Sequence, residues 1–413
     1  MGLSEEQERI CDQVVYDKKL FSYGPKQKQR QSITIAGYAG TGKTYLIAEI
    51  AKRIRALKTK RFKIAFCCFT GKASSVLRKR LMEADAIKNT DYAGTIHGLI
   101  YKPRYGTNEN GQQVIVGWNL INDIEQDLII VDEVSMVNRE LWNDLKSFGV
   151  PIIAVGDHGQ LPPIGDNFNI LNKPHHVLTE IHRQAADNPI IKLSMDIRNN
   201  GSIPFGQHSG NGSKVYKFSW KHRSTQDLFN SIQWTNDYII LCGFNATRVN
   251  LNNMIRAKYK YTLPEPYPDE RLICLKNNHS TKVMNGQLGT TVWFSRRAPQ
   301  VYEMTLSMDD LDGDYYTTLI HNYCFGKESY DGSYEEVKKK KQRTILKRTG
   351  YDTMDLFDYG YCISVHRSQG SEWPNVVLFE QRSKHWDYDY YKRWLYTAIT
   401  RAKQNLFIIS DFW

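Results

Sequence analysis

A glycine-rich loop near the amino terminus leaves this chain few possible folds. The segment "SITIAGYAGTGKTYLIAEIAKRIRAL" predicts a strand, a loop and a helix in that order. The helix is indicated by apolar residues that recur on one face with a period of 3.6, namely Leu46, Ile47, Ile50, Ala51, Ile54 and Leu57. Residues Gly37 to Thr44 read G-x-x-x-x-G-K-T, the complete phosphate-loop pattern. A strand, this loop and a helix together indicate an α/β fold.

The composition of the loop suits the phosphate groups of a nucleotide. Glycines let consecutive backbone N–H groups turn inward around a phosphate at the N-terminus of a helix, where the helix dipole also favours an anion. Lys43 is expected to reach the β- and γ-phosphates, and Thr44 is expected to bind Mg²⁺. The predicted nucleotide-binding residues of the loop are Gly37, Gly40, Thr41, Gly42, Lys43 and Thr44.

Two further strands are predicted to end in polar residues. In "DLIIVDEVSM" an apolar strand, Leu128 to Val131, runs into Asp132, which could bind Mg²⁺ through water, and Glu133, which could polarise an attacking water molecule. The alternative is a strand that ends in an ordinary acidic turn. In "VPIIAVGDHGQLPPIG" a third strand leads to Gln160, which could sense the γ-phosphate. Parallel α/β sheets place their working residues at the carboxyl ends of strands.

Length, charge and cysteine usage limit the possible classes of protein. A chain of 413 residues can form two or more domains, each with its own core. It contains no apolar run long enough to span a membrane, and its start lacks a secretory signal. Seven cysteines, never spaced C-x-x-C, argue against a zinc site or disulfide framework and favour reduced thiols in the cytoplasm. The net charge of +11 suits a polyanionic partner, although "KKKKQR" (Lys338 to Arg343) is typical of a solvated surface.

The order of motifs along the chain resembles that of superfamily 1 DNA helicases, within the RecD-like and phage Dda-like branch. GYAGTGKT and DEVS match motifs I and II of that family, and Gln7 in "LSEEQERI" matches its adenine-reading glutamine. "FTGKAS" and "TIHGL" match motifs Ia and Ib, "GDHGQLPP" matches motif III, and "LTEIHRQ" carries Arg183 at the position of the first arginine finger. "SVHRSQGSEW" and "YTAITRAKQ" are similar to motifs V and VI. His182 stands where many members have an aromatic residue that stacks on adenine.

This resemblance implies an α/β protein with two RecA-like domains in tandem, expected at residues 1–187 and 188–413, that hold one ATP between them. The segment "LYTAITRAKQNLFIIS" predicts a helix followed by a buried strand, with Arg401 at the junction. By resemblance Arg401 reaches across to the γ-phosphate, together with Arg183; the alternative is a solvated charge at a helix end. Gly370 and Glu372 of motif V are expected near the nucleotide. The second half has no glycine loop of its own, which fits one ATP per motor.

Two stretches resemble insertions into the motor domains. In the first, at about 98–120, Asn110-Gly111 marks a tight turn before the strand-like "QVIVGW". In relatives a hairpin here splits the duplex; the alternative is an ordinary surface hairpin. Tyr101 and Tyr105 are candidates for stacking on bases. The second, at about 265–352, corresponds to a small β-barrel in related helicases.

The residues that resemble DNA-contacting positions carry hydroxyl groups, cations or imidazole rings. Such groups suit the phosphate backbone and carry no base information, so binding without sequence preference is expected. For each of them taken alone, a structural hydrogen bond is an equal alternative. The candidates are Thr70, Lys72, Thr95, His97, Ser364, His366, Arg367 and Ser368.

The sequence therefore predicts an ATP-dependent DNA helicase, with ATP and Mg²⁺ as cofactors, that moves along single strands and unwinds duplex DNA. Movement from 5′ to 3′ follows from the resemblance alone. The expected partners are single-stranded and forked DNA, together with replication or recombination proteins, and the expected active species is a monomer. Two alternatives stay open: an RNA-directed helicase of the same superfamily, and a nucleotide-gated clamp on single strands that does not unwind.

Overall fold

The chain divides into two compact units, Met1–Ala186 and Asp187–Trp413, in a computed structural model. Each unit contains an α/β sheet of the RecA-like kind, and the second also contains a small, nearly closed β-sheet. The structure describes residues 2–21, 32–58, 61–107, 113–163, 168–181, 187–210, 212–276, 283, 285–309, 315–329 and 354–410.

The sheet of the first unit has six strands in the order β3-β2-β6-β7-β1-β8, and all of their pairings are parallel. Its strands are β1 (Ser32–Gly37), β2 (Ile64–Cys68), β3 (Tyr92–Thr95), β6 (Leu128–Val131), β7 (Ile152–Gly156) and β8 (His176–Leu178). The helices of this unit are α1 (Glu5–Val15), α2 (Lys43–Leu57), α3 (Gly71–Glu83), α4 (Ile96–Ile100) and α5 (Arg139–Ser147). Two apolar cores lie on the two faces of the sheet, as expected for a parallel sheet that is covered on both sides.

The register of these strands brings their carboxyl ends to one edge of the sheet. Ala36 of β1 is opposite Gly156 of β7, and Gly37 is opposite Leu178 of β8. Val131 of β6 is opposite Ala154 of β7 and pairs with Cys67 of β2. The phosphate loop, the Asp132-Glu133 pair and the Asp157–Gln160 segment all begin at this edge. It is the edge at which parallel α/β sheets bind ligands.

A two-stranded antiparallel hairpin follows α4. It consists of β4 (Tyr101–Thr107) and β5 (Gln113–Leu120), which pair from Tyr101 opposite Leu120 to Thr107 opposite Gln113. The predicted turn at Asn110-Gly111 lies outside the described residues, and the Tyr105 side chain is not described. The hairpin insertion predicted for the first domain is confirmed.

The larger sheet of the second unit has the order β18-β11-β19-β20-β10-β9. Only β9, at one edge, is antiparallel to its neighbour. Its strands are β9 (Gly206–Gly210), β10 (Ser213–Ser219), β11 (Tyr238–Cys242), β18 (Cys362–Ser364), β19 (Trp373–Glu380) and β20 (Ala402–Ser410). Its helices are α6 (Pro189–Asn200), α7 (Arg223–Ser231), α8 (Asn245–Lys258) and α9 (Tyr388–Ile399).

The smaller sheet of the second unit interrupts the chain between α8 and β18. Its order is β16-β15-β14-β13-β12-β17, it is mostly antiparallel, and it surrounds an apolar cluster of its own. The strands are β12 (Arg271–Cys274), β13 (Leu288–Ala298), β14 (Val301–Met308), β15 (Tyr315–His321), β16 (Met354–Asp355) and β17 (Phe357–Tyr359). The expected barrel-like insertion is confirmed, and its last two strands lie beyond residue 352. The Lys338 to Arg343 run lies outside the described residues.

Most of the secondary structure expected from apolar patterns is present. The predicted helix of the phosphate-loop motif is α2, with five of its six predicted apolar residues buried. The exception is Leu57, the last residue of α2, which is 52% exposed. All seven cysteines are buried free thiols. No helix among the described residues is both long and apolar enough to cross a lipid bilayer.

Candidate nucleotide and nucleic-acid sites

The phosphate loop connects β1 to α2 at the ligand-binding edge of the first sheet. Gly40 and Gly42 have φ angles of +81° and +72°, which favour glycine over any residue with a Cβ. A Cβ at Gly37 would lie 2.7 Å from Thr41 Oγ1, so this position also excludes a side chain. Lys43 Nζ donates to the carbonyl oxygens of Gly37 (2.9 Å) and Tyr38 (3.0 Å). The Lys43 ammonium group thus lies inside the phosphate loop, where the sequence motif predicts that it binds phosphate.

Gln7 connects α1 to the phosphate loop. Its Oε1 accepts a hydrogen bond from the Ser4 N–H at 3.0 Å, which completes a capping box at the start of α1. Its Nε2 donates to the carbonyl oxygen of Thr41 at 3.0 Å, and the side chain is buried. The residue predicted to read adenine is therefore held directly against the loop predicted to hold the phosphates.

Asp132 and Glu133 follow β6 at the same edge. Asp132 is buried, and its Oδ1 accepts a hydrogen bond from the Glu133 N–H at 2.9 Å. Burial raises the pKa of Asp132, while the positive charges of Lys43 and Arg80 oppose that rise. Glu133 has φ +54°, a left-handed conformation that is uncommon for a residue with a Cβ and recurs at functional sites. The charge of Lys43 therefore acts on the carboxylate predicted to hold the metal.

The segment after β7 contacts the phosphate loop through aromatic rings. The centroids of Tyr38 and His158 lie 4.1 Å apart. Asp157 is buried and organises the turn by accepting a hydrogen bond from the Gly159 N–H at 2.9 Å. Gln160 is buried next to this turn, and its N–H donates to the Asp157 carbonyl oxygen. The Tyr38–His158 contact was not predicted, because each ring alone is an unremarkable residue inside a longer motif.

Arg80 is a second cation that the sequence patterns did not identify. It lies on α3, and its Nη1 is 3.4 Å from Thr44 Oγ1. Nothing in the phosphate-loop or acidic motif points to this residue, because it comes from a helix that follows another strand. Thr44 and Asp132, the two predicted metal ligands, therefore both lie within the field of Arg80.

Four candidate DNA-contacting residues lie in the first unit, at the starts of α3 and α4. The Thr70 and Thr95 hydroxyls are N-caps, accepting from the Ala73 and Gly98 N–H groups at 3.2 and 3.0 Å. Both hydroxyls therefore make structural hydrogen bonds, which were the alternative to DNA contact. Each hydroxyl oxygen acts as an acceptor in its cap, so its proton can still be donated to another group. Lys72 is partly exposed and His97 is exposed.

The region around His97 joins motif Ia, motif Ib and the hairpin. The His97 ring lies between Phe69, at 6.0 Å, and Tyr101, at 5.6 Å between centroids. The Tyr101 hydroxyl donates to a carboxylate oxygen of Asp144. Tyr101 thus anchors the base of the hairpin to α5. This hydrogen bond restricts the Tyr101 side chain and makes it a poorer candidate for stacking on DNA bases.

Motif V in the second unit forms a short 3-10 turn after β18. His366 Nε2 lies 2.7 Å from the Tyr390 hydroxyl, and burial lowers the pKa of His366. Ser364 and Arg367 are partly exposed. Ser368 is fully buried, and its hydroxyl donates to the Val365 carbonyl oxygen at 2.7 Å. Of these four candidates, Ser368 stabilises the turn through this hydrogen bond, and its buried hydroxyl is not exposed to a DNA strand.

Arg401 brings motifs V and VI together within the second unit. It follows α9 and precedes β20, as the helix and strand patterns predict. Its guanidinium donates to the carbonyl oxygens of Thr397 (2.9 Å) and Ser371 (3.1 Å) and to the Thr400 hydroxyl (3.0 Å). Arg401 is only 4% exposed, so the alternative of a solvated charge is wrong.

The remaining motif V candidates lie beside this contact. Gly370 has φ +74°, and Glu372 is exposed with its carboxylate 3.6 Å from Lys403 Nζ. Arg183 and His182 lie outside the described residues. The structure thus groups the nucleotide-binding candidates of the first unit at one edge of its sheet. It groups Gly370, Glu372 and Arg401 around the Arg401–Ser371 hydrogen bond in the second unit.

Two family matches cover separate parts of the chain. Residues 25–166 match a family described as an AAA domain, and residues 359–409 match the UvrD-like helicase C-terminal domain. The first match includes the phosphate loop, Asp132 and Gln160. The second includes motif V and Arg401.

Curated relatives and solved structures extend the similarity to almost the whole chain. The ATP-dependent RecD2 DNA helicase of Deinococcus radiodurans is 24% identical over 98% of this chain and 49% of its own length. The RecBCD enzyme subunit RecD of Buchnera aphidicola is 24% identical over 91% of this chain and 69% of its own. The chain spans about half the length of the RecD2 relative.

Among solved structures, a Pif1 helicase from Bacteroides in complex with ADP-AlF3 and single-stranded DNA is similar with a TM-score of 0.54. The sequence identity is 16%, and the similarity covers 100% of this chain and 93% of that one. At this identity the similarity establishes the fold: two RecA-like domains.

Proposed function

Because the chain belongs to the superfamily 1 helicases, in the group with RecD-like and Pif1-like members, we propose that it is an ATP-dependent DNA helicase. It hydrolyses ATP, translocates on single-stranded DNA in the 5′ to 3′ direction and unwinds duplex DNA. The observation that carries this proposal is the register of the first sheet. It brings the phosphate loop, the Asp132-Glu133 pair and the Asp157–Gln160 segment to one edge.

In this proposal the nucleotide binds at the phosphate loop. Lys43 leaves the carbonyl oxygens of Gly37 and Tyr38 for the β- and γ-phosphates, with which an ammonium group makes stronger, charge-assisted hydrogen bonds. Glu133 orients the attacking water, and Gln160 responds to the γ-phosphate. Gln7, which is held against the phosphate loop, contacts the adenine and distinguishes it from other bases.

The residues at this edge also suit Mg²⁺. A threonine hydroxyl and a carboxylate are hard oxygen donors of the kind that this ion prefers, and Mg²⁺ is held by one or two carboxylates together with substrate phosphates. Among the described residues no cluster of three or more His, Cys, Asp or Glu side chains could form an all-protein cage. When bound, the ion would be held by Thr44 and Asp132 and would neutralise charge on the phosphates.

Arg183 and Arg401 are the proposed arginine fingers. A guanidinium meets the charge that spreads over the equatorial oxygens during phosphoryl transfer, which is worth about 10³ to 10⁵ in rate. Arg401 hydrogen bonds to Ser371 of motif V. This bond supports a role in which the presence of the γ-phosphate is communicated to the segment that contacts DNA. Gly370 and Glu372 complete the nucleotide contacts.

The proposed grip on DNA uses the phosphate backbone. Thr70 and Thr95 offer hydroxyl protons and Lys72 and Arg367 offer cations, while His97, Ser364 and His366 add polar contacts. Ser368 supports the motif V turn. The β4–β5 hairpin is the proposed duplex-splitting element. Its anchoring to α5 through Tyr101 supports this role, because a pin must be held rigidly.

Duplexes with one single-stranded tail test the activity and its direction together. With ATP, the protein should release the labelled strand from a duplex with a 5′ tail and leave the 3′-tailed duplex intact. Unwinding of the 3′-tailed substrate alone would overturn the proposed direction. ATP hydrolysis that is stimulated by poly-U and not by poly-dT would favour an RNA-directed motor.

A further inference from the structure

Four aromatic rings lie at the carboxyl edge of the larger sheet in the second unit. The strands β18, β11 and β19 are neighbours in this sheet and run parallel, so their carboxyl ends share one edge. His366 follows β18, and Phe244 follows β11. Trp386 lies in the loop after β19, and Tyr390 lies in the first turn of α9. These four residues, the aromatic row, therefore lie where parallel α/β sheets bind their ligands.

The rings of the aromatic row contact one another across this edge. The centroids of Phe244 and Trp386 lie 5.5 Å apart, and their planes are 25° from parallel. The Trp386 and Tyr390 centroids lie 5.3 Å apart, and those of Tyr390 and His366 lie 6.3 Å apart. The Tyr390 hydroxyl is 2.7 Å from His366 Nε2. The row thus connects motif V, which carries proposed DNA contacts, to the end of β11.

Hydrogen bonds and packing fix the aromatic row on the sheet. Gln381, which follows β19, accepts a hydrogen bond from the Gly243 N–H at 2.9 Å and donates to the Thr247 hydroxyl at 2.7 Å. It therefore ties the loop that carries Trp386 to the start of α8. The Trp386 ring also packs on the buried Trp394, at 5.5 Å between centroids. All four rings of the row are partly exposed, so each retains surface on which another flat group can stack.

We propose that the aromatic row stacks on unpaired nucleobases of the DNA strand whose phosphates motif V contacts. This inference rests on the proposed function, because it requires a single strand at this edge of the second unit. Single-strand sites combine aromatic side chains with cations along the backbone, and stacking is tolerant of sequence because every base has an aromatic face. Arg367 is a partly exposed cation beside His366. Arg382 and Lys384 are exposed cations in the loop that carries Trp386.

Two carboxylates near the aromatic row have partners of their own. Asp387 is the N-cap of α9 and accepts a hydrogen bond from the Tyr390 N–H at 2.7 Å. The positive end of the helix dipole also favours a negative charge at this position. Asp389 lies 3.0 Å from Lys392 Nζ. Both carboxylates are therefore compensated locally, and they oppose a nearby phosphate less than unpaired carboxylates would.

Binding to a dT oligonucleotide and to the same oligonucleotide with abasic sites tests the inference, because abasic sites keep the phosphates and remove the bases. Trp386→Ala should weaken binding to dT about tenfold, since one base–aromatic stack is worth about 5- to 150-fold in affinity. Binding to the abasic oligonucleotide should change less than about twofold. Trp386→Phe, which keeps a ring, should retain most of the affinity for dT. The slope of log K against log salt should stay unchanged in Trp386→Ala, because stacking releases no counterions.

A matched control and a second variant separate stacking from an effect on the fold. Trp220→Ala removes a tryptophan of the same unit that is 39% exposed and lies outside the row, and it should weaken binding to neither oligonucleotide. Phe244→Leu keeps apolar volume at the end of the row and should show the same preference for loss on dT as Trp386→Ala.

The two oligonucleotides also give the results that would overturn the inference. Equal losses on dT and on the abasic oligonucleotide, in Trp386→Ala and Phe244→Leu alike, would show that these rings support the fold or the phosphate contacts and not the bases. Unchanged binding to dT in both variants would overturn the inference as well. Failure of the unmodified protein to bind either oligonucleotide would instead contradict the proposed function, and the stacking role with it.

Discussion

Replacement of Arg401 by alanine should stop ATP hydrolysis while ATP binding persists. Its guanidinium makes three hydrogen bonds inside the second unit and is 4% exposed. A finger contributes about 10³ to 10⁵ in rate. At 1.36 kcal/mol for each factor of ten, this corresponds to about 4 to 7 kcal/mol of the activation barrier.

The same substitution also removes support from the fold. Thr397 O keeps the Thr400 hydroxyl as a donor at 3.1 Å, so the main losses are the bonds to Ser371 O and to Thr400 Oγ1. Leaving a buried polar group without its partner costs about 1 to 3 kcal/mol, so the two losses give about 2 to 6 kcal/mol of stability for this site. A domain with about 10 kcal/mol of stability would remain mostly folded. Unfolding therefore accounts for less than about a twofold loss of rate.

The assay compares DNA-stimulated kcat, ATP affinity and thermal stability for Arg401→Ala and for Arg256→Ala. Arg256 is a buried arginine in the same unit, hydrogen-bonded to Glu270 at 2.6 Å, and is outside the proposed machinery. Its loss should lower the melting temperature and leave kcat of the folded protein near normal. A near-normal rate in Arg401→Ala would refute the finger assignment. Equal loss of activity in the two variants would show that stability, and not chemistry, was measured.

Three other substitutions or conditions have defined outcomes. Lys43→Ala should abolish hydrolysis, measured as phosphate release, because it removes the phosphate-binding ammonium; Lys52→Ala, exposed on the same helix, should not. Affinity for single-stranded DNA should fall as salt rises, and Lys72→Ala should reduce the slope of log K against log salt by about 0.7; an unchanged slope would remove Lys72 from the binding path. Lys217→Met should lower the free energy of unfolding, followed by denaturant titration, by about 3 to 5 kcal/mol, because it leaves the buried Glu380 carboxylate, 2.8 Å from Lys217 Nζ, without its cation. The double variant Lys217→Met/Glu380→Gln should recover most of that loss, and a failure to recover would mean that packing around Lys217 dominates.

The parts of the fold that could be predicted from the sequence are those set by local patterns. The phosphate-loop helix follows from its period of 3.6, and the buried strands β6, β7 and β20 follow from short apolar runs that end in polar residues. The order of the strands in the sheet cannot be predicted from any single segment. The grouping of the three motifs at one edge depends on that order and could not be predicted locally either. Resemblance to a family supplied that arrangement.

The parts that could not be predicted depend on contacts between distant segments. The bond from Glu6 to Thr179 joins residues 173 positions apart, and the Tyr38–His158 contact joins two motifs. Burial also departs from the periodic pattern at Leu57, which is exposed in the last turn of α2, and the buried Ser368 hydroxyl donates to the Val365 carbonyl oxygen, the structural alternative that the sequence left open. Hydroxyl residues in a motif can cap a helix or contact a ligand, and residue type alone does not separate these roles.

Displacement of streptavidin from biotinylated oligonucleotides tests most directly whether one phosphate loop drives movement along a strand. With ATP the protein should displace streptavidin from the 3′ end faster than spontaneous release and should not do so from the 5′ end. Lys43→Ala should displace it from neither end. ATP hydrolysis that is strongly stimulated by single strands, with no displacement from either end, would contradict the account and identify the protein as a clamp that does not travel.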